Sequence, residues 1–374
     1  MNTIRFGVYG DIHHASKAAR CLTLDDTLEI EREFHNRAPG AGWDFTVFVG
    51  DRYLKREPED QVKVLADRCL SECLSSRSGI LHYHFVGNHD WTKNNREWHT
   101  SESLKYGFPN LRVLDTPGTT MAWLENDLTL AIHALPADVP FNRENYRCDP
   151  DPRVFDLFLF HGIVKGSLMS DNSDRVFEDG IDVSDLDNSE WQLVLGGDIH
   201  VPQTIPFTYT RGGYPGSILQ RDRSDADKPR GWLEVTATFN GTVWDIQTEF
   251  VPTRNFFHKE VFEVSQSTQY TDLDINEDYV ADQAVEVKLI GAREDVDRVA
   301  ADSRWSNYES FLGARSLDVV REYKVEQMDA VVDLSQSRGA SDDLEMYLES
   351  GFSNTGDLSP DKIFEMIERL RQEG

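Results

Sequence analysis

The residues best suited to chemistry in this sequence stand directly after stretches rich in β-branched and aromatic residues. Five such stretches end in groups that can bind a metal or carry a proton, and these groups are Asp11 and His13, Asp51, Asn88 and His89, His161, and Asp198 and His200. The two Asp-x-His pairs have members two residues apart, so on an extended chain end both side chains point to one side. A carboxylate beside an imidazole can begin a site for a divalent cation.

Each of these groups has an ordinary explanation when it is taken alone. An Asp near a His can be a solvent-exposed loop pair, and Gly87-Asn88 is common turn chemistry. Five such groups, each directly after an apolar β pattern, are hard to explain as core or surface residues. Three carboxylates, several imidazoles and one amide oxygen, without a thiolate, suit Mn²⁺, Fe or Zn²⁺ in a two-metal site. Asp51 stands alone after its stretch and is the natural bridge, and such metal pairs activate water for attack on phosphorus.

These groups can meet only if the stretches before them form one layered α/β structure. The principal strand patterns cover residues 4–9, 45–49, 80–86, 155–160 and 191–195. Several are continuously apolar, as in parallel sheets covered on both faces, and ligands bind at the carboxyl ends of such strands. Helical patterns at 22–37 and 61–75 separate the first three strands. Shorter strand patterns lie at 111–114, 121–124, 128–132, 231–235 and 243–246. His133 is interpreted as a strand-end residue, with a role as a metal ligand as the less favoured alternative.

The composition of the whole chain excludes several classes of protein. Its 374 residues, of which 39% are hydrophobic, support one large domain with a smaller one, or two domains. We expect no transmembrane helix, because no apolar run reaches about 18 residues, and no signal peptide, because a strand pattern begins at once. The net charge of −28 argues against a broad basic surface for DNA, although local basic loops remain compatible with it.

The four cysteines point to a reducing compartment. Cys21, Cys69, Cys73 and Cys148 show no metal-binding spacing, so we expect buried free thiols. The predicted location is therefore the cytoplasm.

The pattern changes after residues 250–254. A small α+β unit is predicted from a strand at 285–290, a helix at 295–304 and a strand at 317–323. A Ser-, Gly- and Gln-rich linker and two helices follow, at 335–341, 342–350 and from Ser359 onward. The last helix has one apolar face, formed by Ile363, Phe364, Ile367 and Leu370. This face either packs on its own domain or docks to a partner.

In this order, the motifs Asp-x-His, Gly-Asp, Gly-Asn-His-Asp, His-Gly and Gly-x-x-His resemble those of calcineurin-like metallophosphoesterases over roughly residues 4–250. Within that family the chain is most similar to SbcD-type DNA repair and recombination nucleases, including phage recombination endonuclease subunits. The stretches that carry this likeness are 197–203, 214–217 and 231–235. The resemblance implies a two-sheet sandwich flanked by helices at 1–252, a small α+β capping domain at 253–334, and a linker with partner-binding helices at 335–374.

The resemblance also implies a role for each candidate residue. The first metal would be held by Asp11, His13 and His200, and the second by Asn88, His161 and Asp198, with Asp51 as the bridge. His89 would contact the scissile phosphate and donate a proton to the leaving oxygen. From its position alone, Asp90 is interpreted as an orienting partner for the turn or for a neighbouring His. The family usually has His in place of Asp198, but a carboxylate still binds Mn²⁺. Two divalent cations are therefore expected, Mn²⁺ foremost, with Mg²⁺, Fe²⁺ and Zn²⁺ as alternatives.

The implied function is metal-dependent hydrolysis of DNA by the exonuclease or endonuclease subunit of an SbcC–SbcD-like complex in double-strand-break repair and recombination. Basic residues that could contact DNA are Arg52, Lys55, Arg56, Lys93, Arg96, Lys165, Arg221 and Arg223. A coiled-coil ATPase of the SbcC/Rad type, bound through the C-terminal helices, would supply the remaining grip on DNA, and a homodimer is also compatible with this interpretation. The alternatives are a phosphatase or phosphodiesterase for nucleotides or small esters, and a non-catalytic scaffold with the same fold.

Overall fold

The structure is a computed structural model that describes residues 2–16, 22–76, 79–92, 95–124, 128–170, 173–273, 275, 280–305, 309 and 312–324, with the backbone alone for 95–97, 170, 173 and 174. The predicted linker at 335–341 and both predicted C-terminal helices lie outside the described residues, as do Cys21 and Lys93. None of the described helices is long and apolar enough to cross a membrane.

The described residues form strands and helices in the following order. The strands are β1 (Asn2–Tyr9), β2 (Phe45–Phe48), β3 (Leu81–Phe85), β4 (Trp91–Thr92), β5 (Asn95–His99), β6 (Leu111–Leu114), β7 (Gly118–Trp123), β8 (Thr129–Leu135), β9 (Val154–His161), β10 (Leu168–Ser170), β11 (Ser173–Val176), β12 (Leu193–Gly197), β13 (Gln203–Thr204), β14 (Gly212–Tyr214), β15 (Gly231–Phe239), β16 (Trp244–Pro252), β17 (Phe257–Val264), β18 (Ala284–Gly291) and β19 (Ser316–Tyr323). The α-helices are α1 (Leu24–Ala41), α2 (Asp60–Ser75), α3 (Leu104–Gly107), α4 (Val183–Leu186) and α5 (Arg293–Ala300).

Two six-stranded sheets make up the main body. The first sheet has the order β16-β15-β1-β2-β3-β6, in which β1, β2, β3 and β6 are parallel and β15 and β16 are antiparallel. The second sheet has the order β13-β14-β12-β9-β8-β7, with β14, β12, β9 and β8 parallel. Antiparallel strands β7 and β13 lie at its edges.

The two sheets face each other across one apolar core. Alternate residues of β1, such as Phe6 and Val8, point into this core, and Leu157 and Leu159 of β9 point into it from the other side. The Phe6 ring meets the Phe155 ring edge-on, with centroids 6.2 Å apart. The predicted α/β architecture, a two-sheet sandwich flanked by helices, is therefore confirmed.

Helix α1 begins and ends with clear capping signals. The Thr23 hydroxyl accepts a hydrogen bond from the Asp26 N–H, and the Asp26 carboxylate accepts one from the Thr23 N–H at 2.9 Å, which together form a capping box. The helix ends at Gly42, whose φ of 65° favours glycine. It begins two residues later and ends four residues later than the predicted 22–37, and it includes Pro39 in its last turn.

Two polar segments contain short hairpins. Residues 91–105 contain the β4–β5 hairpin and the start of α3. Residues 167–187 contain the β10–β11 hairpin and α4.

A third sheet follows the sandwich and has its own core. Strands β17, β18 and β19 are parallel, and residues such as Val287, Leu289 and Val296 pack between this sheet and α5. Phe256 and Phe257 belong to a different apolar cluster, which lies against the first sheet. Arg315 and Arg254 pair with Asp26 of α1 at 2.7 and 3.3 Å. The third sheet is thus attached to the sandwich by apolar packing and by ion pairs.

Candidate active site

The candidate residues meet at one edge of the sandwich, where the carboxyl ends of strands from both sheets converge. The first sheet contributes the turns after β1, β2 and β3, and the second contributes the ends of β9 and β12. The structure brings together all eight predicted residues, namely Asp11, His13, Asp51, Asn88, His89, His161, Asp198 and His200. Parallel strands deliver their carboxyl ends to the same edge, so five separate stretches of sequence build one site.

Asp51 lies between two groups of side chains. Its Oδ2 is 3.5 Å from Nε2 of His13, and its Oδ1 is 3.3 Å from Nε2 of His161. The ligand atoms of Asp11, His13 and His200 all lie within 4.8 Å of one another, and so do those of Asp11, Asp51 and His161. A carboxylate with one oxygen toward each of two ligand groups is the arrangement that a bridged pair of divalent cations requires.

Several buried polar atoms in this cluster have no hydrogen-bond partner among the described residues. They are Asp11 Oδ2, His13 Nδ1, Asn88 Oδ1 and His161 Nε2. The His161 Nδ1–H donates to the Val49 carbonyl at 2.8 Å, which leaves its Nε2 lone pair for a ligand bond. Buried polar atoms are normally paired. These orphaned oxygen and nitrogen atoms therefore fit two divalent cations.

Burial and charge move the titrating groups of the cluster in different directions. Burial, reinforced by Asp51 and Asp198, raises the pKa of Asp11 to about 8 in spite of the nearby His161. Burial also acts to raise the pKa of Asp51, but His161 and His13 draw it below its usual range. Burial opposes the charged form of His161, yet Asp51 and Asp11 raise its pKa to about 10. Protons therefore occupy part of the ligand set when cations do not.

Left-handed backbone is concentrated at the same place. Asp11, His13, Asp51 and Asp198 have φ angles of 50°, 50°, 61° and 91°, so four of the seven described non-glycine residues with positive φ belong to the site. Such conformations cost about 1–3 kcal/mol each and persist where the surrounding contacts enforce them. Their clustering at the candidate ligands is typical of a functional site.

Asp90 ties the end of β2 to the end of β3. Its Oδ2 accepts the backbone N–H groups of Gly87 and Asp51 at 2.9 and 3.1 Å, and its Oδ1 accepts that of Arg52 at 3.0 Å. A Cβ atom at Gly87 would lie 2.2 Å from Oδ1 of Asp51, so only glycine permits this close approach. The orienting role predicted for Asp90 agrees with these bonds.

His89 stands beside Asp51 and His13. Its backbone N–H donates to Oδ1 of Asp51 at 2.9 Å, and its Nδ1–H donates to the Leu54 carbonyl at 2.7 Å. The ring meets that of His13 edge-on, with centroids 5.0 Å apart, and one of its nitrogens lies within 4.8 Å of ligand atoms of both neighbours. Because Nδ1 is engaged, Nε2 is the nitrogen available to a substrate.

Arg52 is not a DNA contact, and this corrects the sequence prediction. Its side chain is fully buried, and its Nη1 is 2.6 Å from Oε1 of Glu31, which is equally buried. Glu31 also accepts the Tyr9 hydroxyl at 3.1 Å, and its Oε2 is 3.3 Å from Nε2 of His14. The Glu31 carboxylate on α1 thus contacts residues that lie one or two positions from the candidate ligands Asp11, His13 and Asp51. Sequence reasoning missed Glu31, although a charged residue on the apolar face of the predicted helix was a usable signal.

Three other predicted DNA contacts already have acidic partners. These pairs are Lys55–Glu59 at 3.3 Å, Lys165–Asp182 at 2.8 Å and Arg223–Asp318. Arg56 is partly exposed, whereas Lys93 and the side chain of Arg96 lie outside what the structure describes. A basic side chain that already pairs with a carboxylate binds the phosphates of a DNA backbone more weakly than the sequence prediction assumed.

Arg221 is the predicted basic residue that reaches the cluster. Its segment, 215–222, runs beside the end of β12, and the Ser217 N–H donates to the His200 carbonyl at 3.1 Å. Burial and the charge of Arg221 lower the pKa of His200 to about 3 and that of His13 well below its usual value. The Nε and Nη1 atoms of Arg221 are buried and have no partner among the described residues. Buried N–H groups without acceptors suit an anionic ligand.

Three solved structures similar to this chain are phosphate-ester enzymes by their names. A dimetal phosphatase from Danio rerio is 9% identical over 66% of this chain and 95% of its own, with a TM-score of 0.42. A Staphylococcus aureus protein assigned as a 5′-nucleotidase is 13% identical over 74% of this chain and 56% of its own, with a TM-score of 0.40. Purple acid phosphatase from yellow lupin is 13% identical over 66% of this chain and 53% of its own, also with a TM-score of 0.40.

The chain spans about half the length of the nucleotidase and of the purple acid phosphatase. No protein-family profile and no curated protein sequence matches it.

Proposed function

We propose that this chain hydrolyses phosphodiester bonds with two divalent cations, Mn²⁺ foremost. The observation that supports this most strongly is the position of Asp51, whose two carboxylate oxygens face His13 on one side and His161 on the other. Cations held there would neutralise phosphate oxygens and activate water. A non-catalytic scaffold is disfavoured, because such a chain has no need to keep all eight residues in one place.

The chain's own residues have separate tasks in this reaction. His89 donates a proton to the leaving oxygen through Nε2, since Nδ1 is held by the Leu54 carbonyl. Arg221 presents buried N–H groups to a non-bridging oxygen of the phosphate. Asp90 and Glu31 position the turns that carry the ligands.

DNA is the substrate that we propose, in a nuclease of the SbcD type. The supporting likeness lies in residues 197–203, 214–217 and 231–235, and in the order of a catalytic sandwich followed by a small α+β unit. A coiled-coil ATPase that binds residues 335–374, a segment outside the described residues, would supply most of the grip on DNA. The net charge of −28 favours such a division of labour.

A second candidate function is hydrolysis of nucleotides or small phosphodiesters. It is favoured by the state of the predicted DNA contacts in the described part of the chain, because Arg52 is buried and Lys55, Lys165 and Arg223 have acidic partners. A small ester needs only the cations, His89 and Arg221.

Two substrates distinguish these candidates. The purified chain, with the Asp51→Asn variant as the inactive control, is incubated with Mn²⁺ and either linear duplex DNA or a chromogenic phosphodiester. A nuclease degrades both, most efficiently at low salt, whereas turnover of the chromogenic ester alone favours the second candidate. Activity on neither substrate at saturating Mn²⁺ contradicts both. A pull-down with and without residues 335–374 then tests the ATPase partner.

A further inference from the structure

A second cluster of metal-ligating side chains lies on the outer face of the second sheet. His133 on β8 and Asp156 on β9 are neighbours across a parallel strand pair, with Nε2 and Oδ1 2.8 Å apart. Cys148, from the loop at 136–153, places its Sγ 4.0 Å from the same Nε2. The three ligand atoms lie within 4.8 Å of one another. Asp156 precedes His161 by five residues, which at about 3.3 Å per residue puts this cluster roughly 16 Å from the candidate active site.

The surroundings of this cluster are apolar and hold the His133 ring in one orientation. The rings of Tyr146, Phe158 and Trp191 have their centroids 6.3 to 6.4 Å from that of His133. The Thr119 hydroxyl is 2.9 Å from His133 Nδ1, so Nε2 is the nitrogen that faces Cys148 and Asp156. An apolar shell strengthens bonds between ligands and a cation, and a partner on the second ring nitrogen is the usual device that orients a histidine ligand.

The cluster is accessible from solvent on one side. A cleft of about 290 Å³ reaches both Cys148 and Asp156, and Asp149, Asp151 and Glu190 also line it. The guanidinium of Arg143 approaches the thiol, pairs with Glu190 and donates to the Tyr146 carbonyl, so it can donate a hydrogen bond to a coordinated thiolate. The cleft thus provides a path for a cation, and its carboxylates can attract one.

We propose that Cys148, His133 and Asp156 bind one zinc-class divalent cation that fastens the loop at 136–153 to the outer face of the second sheet. One sulfur, one nitrogen and one oxygen ligand suit zinc, and a water molecule or the Glu190 carboxylate would complete a tetrahedron. Coordination displaces the thiol proton of Cys148 to solvent and breaks no other covalent bond. The thiolate separates this site from the candidate active site, whose oxygen and nitrogen ligands suit Mn²⁺.

Sequence spacing does not reveal this site, because the three residues follow no known metal-binding spacing. The register of β8 and β9 brings His133 and Asp156 onto one face, and the loop then returns Cys148 to them. The proposal is independent of the reaction assigned to the other site.

Cadmium, a thiophilic substitute for zinc, tests the proposal because a thiolate bound to Cd²⁺ absorbs in the ultraviolet. The full-length chain is stripped of metal with a chelator and titrated with Cd²⁺, and the thiolate-to-cadmium charge-transfer band is followed in the ultraviolet. We expect a band whose final intensity corresponds to one thiolate-bound cadmium ion per chain. It is lost in Cys148→Ser and retained in Cys69→Ser, a matched change at a buried cysteine on α2. It also persists in Asp51→Asn, which disables the candidate active site alone.

Two further measurements keep the test decisive. Asp156→Asn, which preserves the thiol, should weaken the band and lower zinc retention after gel filtration, with circular dichroism to confirm that the variant is folded. Zinc should also raise the melting temperature of Asp51→Asn, but not that of the double variant Asp51→Asn/Cys148→Ser. A wild-type chain without the band, or a band of full strength in Cys148→Ser, would overturn the proposal.

Discussion

The carboxylate of Glu31 and the guanidinium of Arg52 form an ion pair, 2.6 Å long, in which both side chains are fully buried. The partners come from α1 and from the turn after β2, so the pair joins a helix to the loop of Asp51, the proposed bridging ligand. This contact helps to hold that loop in place.

Breaking the Glu31–Arg52 pair should destabilise the folded chain. Glu31→Gln leaves the Arg52 charge buried without its partner, and such a loss typically lowers the free energy of unfolding by about 3–5 kcal/mol. Denaturant unfolding of the metal-free chain measures it. Glu33→Gln, an exposed change on the same helix, is the control, and equal losses in the two variants would rule out the stabilising role.

Substitution of His89 should separate catalysis from metal binding. His89→Gln removes the proposed proton donor, so we expect turnover of a phosphodiester to fall by about 10²–10⁴-fold. Metal analysis should still find two equivalents of Mn²⁺. His258→Gln, in the third sheet, serves as the control, and loss of both metals in His89→Gln would show that His89 is a ligand instead.

Arg221 should act on substrate binding and on the transition state, but not on the cations. Arg221→Gln removes a charged hydrogen-bond donor worth about 1.5–3 kcal/mol, which corresponds to a fall in kcat/KM of about 10–150-fold. Arg221→Lys should recover part of this loss, since lysine keeps the charge but not the planar fork. Steady-state kinetics measures both variants, with Arg211→Gln, at the residue just before β14, as the control. Unchanged kinetics in Arg221→Gln would show that Arg221 does not contact the phosphate of the substrate.

Binding of Mn²⁺ should release protons and strengthen as the pH rises. The metal-free chain holds protons on Asp11, with a pKa of about 8, and on His161, with a pKa of about 10, and ligation requires both groups to lose them. Calorimetry in buffers of different ionisation enthalpy counts the protons released between pH 6 and 8. A pH-independent affinity would contradict the raised pKa values.

The same shifts predict how the stability of the metal-free chain depends on pH. The pKa of Asp11 is higher in the folded chain than in the unfolded chain, so the folded state binds more protons above about pH 4. The contribution of Asp11 to stability therefore declines as the pH rises toward 8. Melting curves with a chelator should show this decline at pH 6 to 8, and saturation with Mn²⁺ should remove it.

The candidate ligands could be predicted from the sequence, whereas most of the residues that hold them in position could not. Asp11, Asp51 and His161 each follow an apolar strand pattern, and parallel strands must deliver their ends to one edge. Arg52 misled the prediction because a basic residue after Gly-Asp resembles a phosphate contact, and its partner Glu31 lies 21 residues earlier. Contacts between distant residues depend on packing that periodicity does not encode.

Helix α1 contacts both the residues beside the third sheet and the turn after β2. Asp26, in its first turn, receives Arg315 and Arg254 from beside the third sheet, and Glu31 lies five residues further along the same rod. Ion pairs at the two ends of α1 therefore connect the third sheet to the loop of Asp51. Because the arginines that pair with Asp26 are partly exposed, dissolved salt weakens the pairs at the end far from the candidate active site. This part of the attachment of the third sheet is thus sensitive to ionic strength, whereas the buried Glu31–Arg52 pair is screened much less.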